Sequence, residues 1–415
     1  MNYLDKKFLT ILKYALAGQR AEDCDDVTIE EWNRLFKMAN IHNVLPLFFE
    51  SVYGAETLRH NSEPLVVMAR RRVMQDVMVQ AITTEEFLRL YNKLLAGGVK
   101  PLVVKGIICR NLYSQPDHRQ SGDEDVWVQP ESFAACHEIM TEFGMIPAID
   151  SEDEMEAYEV PYRKQGSPLH IELHKFLFPP ESDAYGHLND YFKNALDRAV
   201  AIEIQGNIVY TLDYTDNIFY LICHAFKHFL HSGFGIRQVA DIIMFANEYG
   251  SMIEWDKVLE NCREIHADLF AAAMFKMGEK YLNFDSEKAC FSEAWKALEV
   301  DETDLLEDLL SSGVFGASTM SRKHSSNITL DAAAAHREGK EARVTLRSSL
   351  FPPKKSLEDK YTFLKKMPFL LPVAWGMRIA GYVKETGATS DNSAADALKI
   401  GKERVELMKK YGIIK

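Results

Sequence analysis

Lys105-Gly106, Arg119 and the run Ser121-Gly122-Asp123-Glu124-Asp125-Val126-Trp127-Val128 decide how this chain is read. Pro101-Leu102-Val103-Val104, just before them, has the apolar character of a buried strand. The three acids then lead into a second β-branched and aromatic run. Alternate side chains of a strand share a face, so Asp123 and Asp125 point together and Glu124 points away. Two carboxylates on one face repel unless a cation lies between them, and a divalent metal is the usual one. The stretch therefore predicts a metal-dependent site for phosphate chemistry.

The 415 residues allow two or three domains, and with 47% hydrophobic residues a substantial core forms. A net charge of −13 argues against general nucleic-acid binding, which needs many Lys and Arg contacts to phosphates, but leaves room for a local basic pocket. The six cysteines, Cys24, Cys109, Cys136, Cys223, Cys262 and Cys290, form no CxxC pair and fit reduced, buried thiols better than a disulfide frame or a zinc site. The first residues lack the basic head and apolar core of a signal peptide, and no run reaches the ~18 apolar residues of a membrane span. The expectation is a soluble, cytoplasmic protein with no membrane partner.

Working outward from the acidic run, three regions are expected: a helical N-terminal region over 1–97, an α/β core over 98–214 and a helical C-terminal region over 215–415. In the first, Phe8, Ile11, Leu12 and Ala15 recur at helical spacing, as do Trp32, Leu35, Phe36 and Ala39. Pro64 to Leu95 is one long amphipathic helix, closed by Gly97-Gly98. In the core, strands are expected over Val99–Val104, Asp123–Val128, Tyr158–Arg163 and Leu169–His174. The last two are joined through Gln165-Gly166-Ser167-Pro168, and a further pair runs over Ala201–Ile204 and Ile208–Leu212. A helix is expected over Glu131–Phe143. Beyond, Thr215-Asp216-Asn217 caps a helix over Ile218–His231, and Ile236–Tyr249 forms the next. Residues 317–344 read as a polar loop or mobile helix, and 387–395 as a flexible linker before a charged terminal helix. The fold class is α+β, a small mixed sheet with helical regions on both sides and predominantly α overall.

His170-Ile171-Glu172-Leu173-His174 carries three ionisable groups on one strand face, with Ile171 and Leu173 on the other. If this strand lies beside the Asp123 strand, Glu172 joins Asp123 and Asp125 in a three-carboxylate cluster. Such a cluster suits Mg²⁺, or Mn²⁺ in its place, with substrate phosphates completing the shell. The third carboxylate would also help to take a proton from an attacking hydroxyl. Lys105 and Arg119 offer the matching positive charge, and Gly106 lets backbone approach phosphate oxygens.

Leu102-Val103-Val104-Lys105-Gly106, then Tyr113, Pro116, Arg119 and Asp123-x-Asp125, resemble the uncharacterised nucleotidyltransferase family of the DNA polymerase β superfamily. Glu172-Leu173-His174 resembles its third motif. So does His224-Ala225-Phe226-Lys227-His228-Phe229 with Arg237, Ala240 and Asp241-Ile242, while Leu350-Phe351-Pro352-Pro353 and Tyr361 through Trp375 resemble its C-terminal signature. The resemblance spans most of residues 85–383. It implies a polymerase-β-like core with Asp123, Asp125 and Glu172 as catalytic and metal carboxylates. Lys105, Gly106, Arg119, His174, Lys227 and His228 are then candidates for substrate binding. The implied reaction moves a nucleoside monophosphate from an NTP, such as ATP, to an acceptor, whether small molecule, peptide, protein or RNA. Two positions depart from the superfamily: Lys105-Gly106 replaces its Gly-Ser, and Glu124 replaces a hydrophobic residue between the aspartates. Glu124 requires a solvated sheet face or a basic partner. Without either, the chain would be an inactive scaffold of the same fold.

His224, His228 and His231 recur at i, i+4 and i+7 on one helix stripe, with Asp241 on the next helix. One reading is a transition-metal site of a phosphohydrolase. The other has these histidines hydrogen-bonding across the helices or lining the nucleotide cleft, where Lys227 and Arg237 would face the triphosphate.

Overall fold

The computed structural model describes residues 1–22, 24–59, 63–149, 156–231, 233–312, 320–339, 354, 357, 361, 363–377 and 394–415. The Leu350–Pro353 stretch and most of the expected 387–395 linker lie outside these residues. As expected, the chain is α+β and predominantly helical around a small mixed sheet.

Helices α1 (Tyr3–Leu16) and α2 (Ile29–Ile41) begin at capping boxes, Asn2 with Asp5 and Thr28 with Glu31. Helix α3 (Leu45–Val52) follows. Helix α4 (Pro64–Ala96) starts at a proline, whose missing N–H costs nothing in a first turn. At its end Gly98 takes a positive φ and Val99 N–H returns to Leu94 O. That closure, with Pro101 lacking a donor, explains why the strand expected over 99–104 pairs only as β1 (Leu102–Val103).

A single helical turn α5 (Ile107–Arg110) leads to β2 (Glu124–Trp127). Then come α6 (Phe133–Glu142), a strand the sequence reading missed, β3 (Met145–Pro147), and the hairpin β4 (Glu159–Lys164) and β5 (His170–His174). The sheet order is β1-β2-β5-β4-β3, with β2 and β5 parallel and the other neighbours antiparallel. A separate hairpin pairs β6 (Val200–Ile204) with β7 (Asn207–Thr211).

Helix α7 spans Tyr214–Leu230, four residues earlier than expected, because Asp213 rather than Thr215 accepts the first-turn N–H of Asp216. Thr215 instead accepts Glu254 N–H, and Asn217 donates to Thr211. Then follow α8 (Ile236–Tyr249), α9 (Trp255–Glu264), α10 (Asp268–Tyr281), α11 (Glu293–Lys296), α12 (Thr303–Ser312), α13 (Met320–Arg337) and α14 (Ala394–Lys410).

The two faces of the sheet have different fates. Val103, Val126, Val160, Tyr162, Ile171 and Leu173 are buried in one apolar core with the second half of α4 and with α6. The other face carries Asp125, Glu172 and His174 toward α7 and α8. A second core joins α1–α3 to the helices after residue 214: Phe8, Trp32 and Phe48 belong to the same cluster as Phe229, Phe270 and Met408.

Candidate active site

The parallel pairing of β2 with β5 sets the site, because it places Asp125 directly opposite Glu172 and Trp127 opposite His174. Strands 47 residues apart thus bring two acids and an imidazole to one face. Asp125 is buried and ion-paired at 2.7 Å with Lys105 Nζ. Burial pushes its pKa up, but the Lys105 ammonium and His174 outweigh that and hold it below the ordinary range. Glu172 goes the other way. Burial and the neighbouring Asp125 and Asp123 charges lift its pKa to about 7.

His174 Nε2 lies 3.4 Å from Asp125 Oδ1 and 3.7 Å from Glu172 Oε2. Its Nδ1 faces Glu159 Oε2 at 3.5 Å, since β4 pairs Glu159 with His174. One ligand atom from each of Asp125, Glu172 and His174 lies within 4.8 Å of the others. Neighbouring ligand atoms on one octahedral ion are roughly 3 Å apart, so small movements close this set around a divalent cation. The residues fit a metal.

Asp123 precedes β2 by one residue and is half-buried. Its charge is felt by Lys105, Glu172 and Arg237, but among the described residues the three-ligand group contains His174 in the place expected for Asp123. Glu124 points to the opposite face, as the alternation requires, and has the basic partner it needs. Fully buried, it pairs with Arg110 at 2.6 Å and accepts Ile107 N–H at 2.7 Å. Gly106 is tied to the same acid: its φ is +52°, and a Cβ there would collide with the Glu124 carboxylate.

A cationic wall faces the acids. Lys105 Nζ is 3.1 Å from His224 Nε2, which is 3.0 Å from His228 Nε2. Burial and the nearby Lys105 and Lys227 charges push both imidazoles far below their usual pKa, so both are neutral at pH 7. Burial also lowers Lys227 and Arg237, the latter further through Arg119. Arg237 donates to Gln120 O, and its Nε is buried without a hydrogen bond. Arg119, expected on substrate, is instead sealed in a clamp. It binds Asp241 through Nε at 3.0 Å and Nη2 at 2.5 Å, and Asp241 also accepts Tyr113 OH at 2.8 Å. The histidine stripe divides: His231 turns away to Tyr185 OH at 2.7 Å, and the three form no metal-ligand group among the described residues.

The sequence matches the family described as uncharacterised nucleotidyltransferase over residues 29–283, more than half of the chain and all of this site. The chain belongs to that family. No curated protein and no solved structure matches it. As a member of this nucleotidyltransferase family, it carries the family match across β1–β7 and α7–α10, the elements that build both the acidic face and the cationic wall. Two residues of the site escaped the sequence reading. Glu159 lies in an expected strand, but its place across from His174 comes from a register that the sequence reading did not set. Arg110 was not recoverable, since nothing in a four-residue helical turn announces which distant acid it meets. No helix among the described residues is long and apolar enough to cross a membrane.

Proposed function

We propose that this chain transfers a nucleoside monophosphate from an NTP to an acceptor hydroxyl or phosphate, using a divalent cation held by Asp125 and Glu172. The observation that carries the reading is the Asp125–Glu172 register beside Lys105, opposite the α7–α8 cations. In the balanced reaction an acceptor oxygen bonds to the α-phosphorus, the bond to the bridging oxygen breaks, and pyrophosphate leaves. A bound Mg²⁺ or Mn²⁺ would neutralise charge on the phosphates and align the displacement. Glu172, the less buried of the two acids, takes the acceptor proton. Lys105, Lys227 and Arg237 meet the polyphosphate, which supplies the anion that the buried, crowded charges of Lys227 and Arg237 lack. Asp123 adds negative charge at the metal side. Arg119 holds Asp241, and so fixes the face of α8 that presents Arg237 four residues earlier. His224 and His228, both neutral, set the position of Lys105.

Calorimetry with ATP, GTP, CTP and UTP in Mg²⁺ or Mn²⁺ tests it. At least one NTP is expected to bind, and Asp125→Asn to weaken that binding tenfold or more. Absence of binding by all four, or binding indifferent to Asp125→Asn, sinks the proposal.

A further inference from the structure

We propose that His174 Nε2 is a third protein ligand of the Asp125–Glu172 metal site, and that this nitrogen makes the site prefer Mn²⁺ to Mg²⁺. The proposal deepens the reading above and rests on its divalent cation. The His174 side chain is buried, and its nitrogens face carboxylates at 3.4–3.7 Å with no well-aligned hydrogen bond. A buried imidazole with both nitrogens so poorly satisfied is costly, and its surroundings explain it as a ligand. Nε2 is aimed at Asp125 Oδ1 and Glu172 Oε2, while Nδ1 faces the Glu159 carboxylate. That is the arrangement of a ligating histidine oriented from behind by an acid, which fixes the tautomer and raises ligand basicity. The cross-strand pairing of Glu159 with His174 makes the orientation a property of the sheet and not of a loose rotamer.

The donor set then decides the metal. Mg²⁺ takes oxygen ligands and keeps its waters, whereas Mn²⁺, equally suited to carboxylates, is a first-row ion that also accepts an imidazole, so between these two ions the mixed donor set favours Mn²⁺. Cysteine plays no part: Cys109, Cys136, Cys223 and Cys262 are buried and free, with their thiol pKa values raised by burial. Among the described residues, the ligand group holds no thiol.

Electron paramagnetic resonance of Mn²⁺ titrated into the full-length chain provides the test, with ¹⁴N or ¹⁵N-histidine coupling read by spin-echo modulation. The wild type is expected to show nitrogen coupling and to bind Mn²⁺ at least tenfold tighter than Mg²⁺ in competition. His174→Gln is expected to lose the coupling and roughly tenfold in Mn²⁺ affinity with little change for Mg²⁺, and Glu159→Gln to weaken Mn²⁺ by a smaller factor. Bound Mn²⁺ without nitrogen coupling in the wild type overturns the proposal, as does equal affinity for the two ions; neither outcome needs a folded variant. Nitrogen-coupled Mn²⁺ with no NTP binding would leave this site standing and remove the nucleotidyl-transfer reading. NTP binding with an all-oxygen metal shell would do the reverse.

Discussion

Asp125 and Glu172 are alike in chemistry and face each other across one strand pair, yet their protons behave oppositely. Lys105 holds Asp125 ionised, while burial and that fixed charge keep Glu172 protonated up to about pH 7, from an ordinary 4.5. The folded chain therefore binds the Glu172 proton more tightly than the unfolded chain. Its contribution to stability is complete below pH 4.5 and lost as pH rises through 7. Glu172→Gln, which keeps the neutral form, is expected to match wild type at pH 4 in chelator and to exceed it at pH 8. The gain should be about 2 kcal/mol, after discounting for a side chain 32% exposed, as measured by denaturant unfolding at the two pH values. Lys105→Met should act in the opposite sense, costing about 3 kcal/mol without metal by stranding a buried carboxylate. Added Mn²⁺ should raise the Tm of that variant more than that of wild type. At this scale the sequence was informative where period-two alternation ruled. It placed Asp125 on one face of its strand and Glu172 with His170 and His174 on one face of theirs, and sent Glu124 to the other side. It was silent on Arg110 and on Lys105 contacting His224, because both contacts join elements whose separation no local pattern encodes.

Helix α8 shows how an element carries a role that none of its residues has alone. Asp241 is anchored by Arg119 and Tyr113 from the segment before β2, and Arg237 lies one turn earlier on the same helix face. Arg119 was expected on the phosphates because a lone arginine near an acidic motif gives no hint of a carboxylate 122 residues away. The two arginines should separate by experiment. Asp241→Ala is expected to cost roughly 3–5 kcal/mol, because it leaves a buried guanidinium unpaired. Arg237→Gln should leave the unfolding midpoint near wild type while weakening NTP binding about tenfold, the worth of one charge-assisted hydrogen bond. A variant Arg237→Gln that binds NTP normally would place the polyphosphate elsewhere. The hairpin β4–β5 was legible from its Gly-containing turn, and α4 from its long periodicity. Of the short strands, β1 fell within the strand expected over 99–104, while β3 was missed, since a three-residue strand exists only through its partner.

The whole molecule is closed by its far ends. Arg404 of α14 donates to the carbonyls of Phe229 and His231 at the end of α7, and Tyr411 OH donates to Asp301 O at 2.7 Å. Ile413 and Ile414 are buried in the helical core. Removing residues 394–415 is expected to lower the Tm by several degrees and to loosen α7, so that NTP affinity falls with it; paired thermal melts and calorimetry would show this. The sequence reading anticipated helical regions on either side of the sheet. It gave no sign that α1–α3 share a core with the helices beyond residue 214, because an amphipathic stripe declares a buried face without naming its partner. That shared core sets an order of events during synthesis. While the ribosome is still making the sheet, Phe8, Trp32 and Phe48 have no completed partner surface, and they wait for helices encoded some two hundred residues later. The N-terminal helices can pack their aromatics on one another early, but their core is completed only by those later helices. A fragment ending at residue 214 should aggregate, where the full chain refolds.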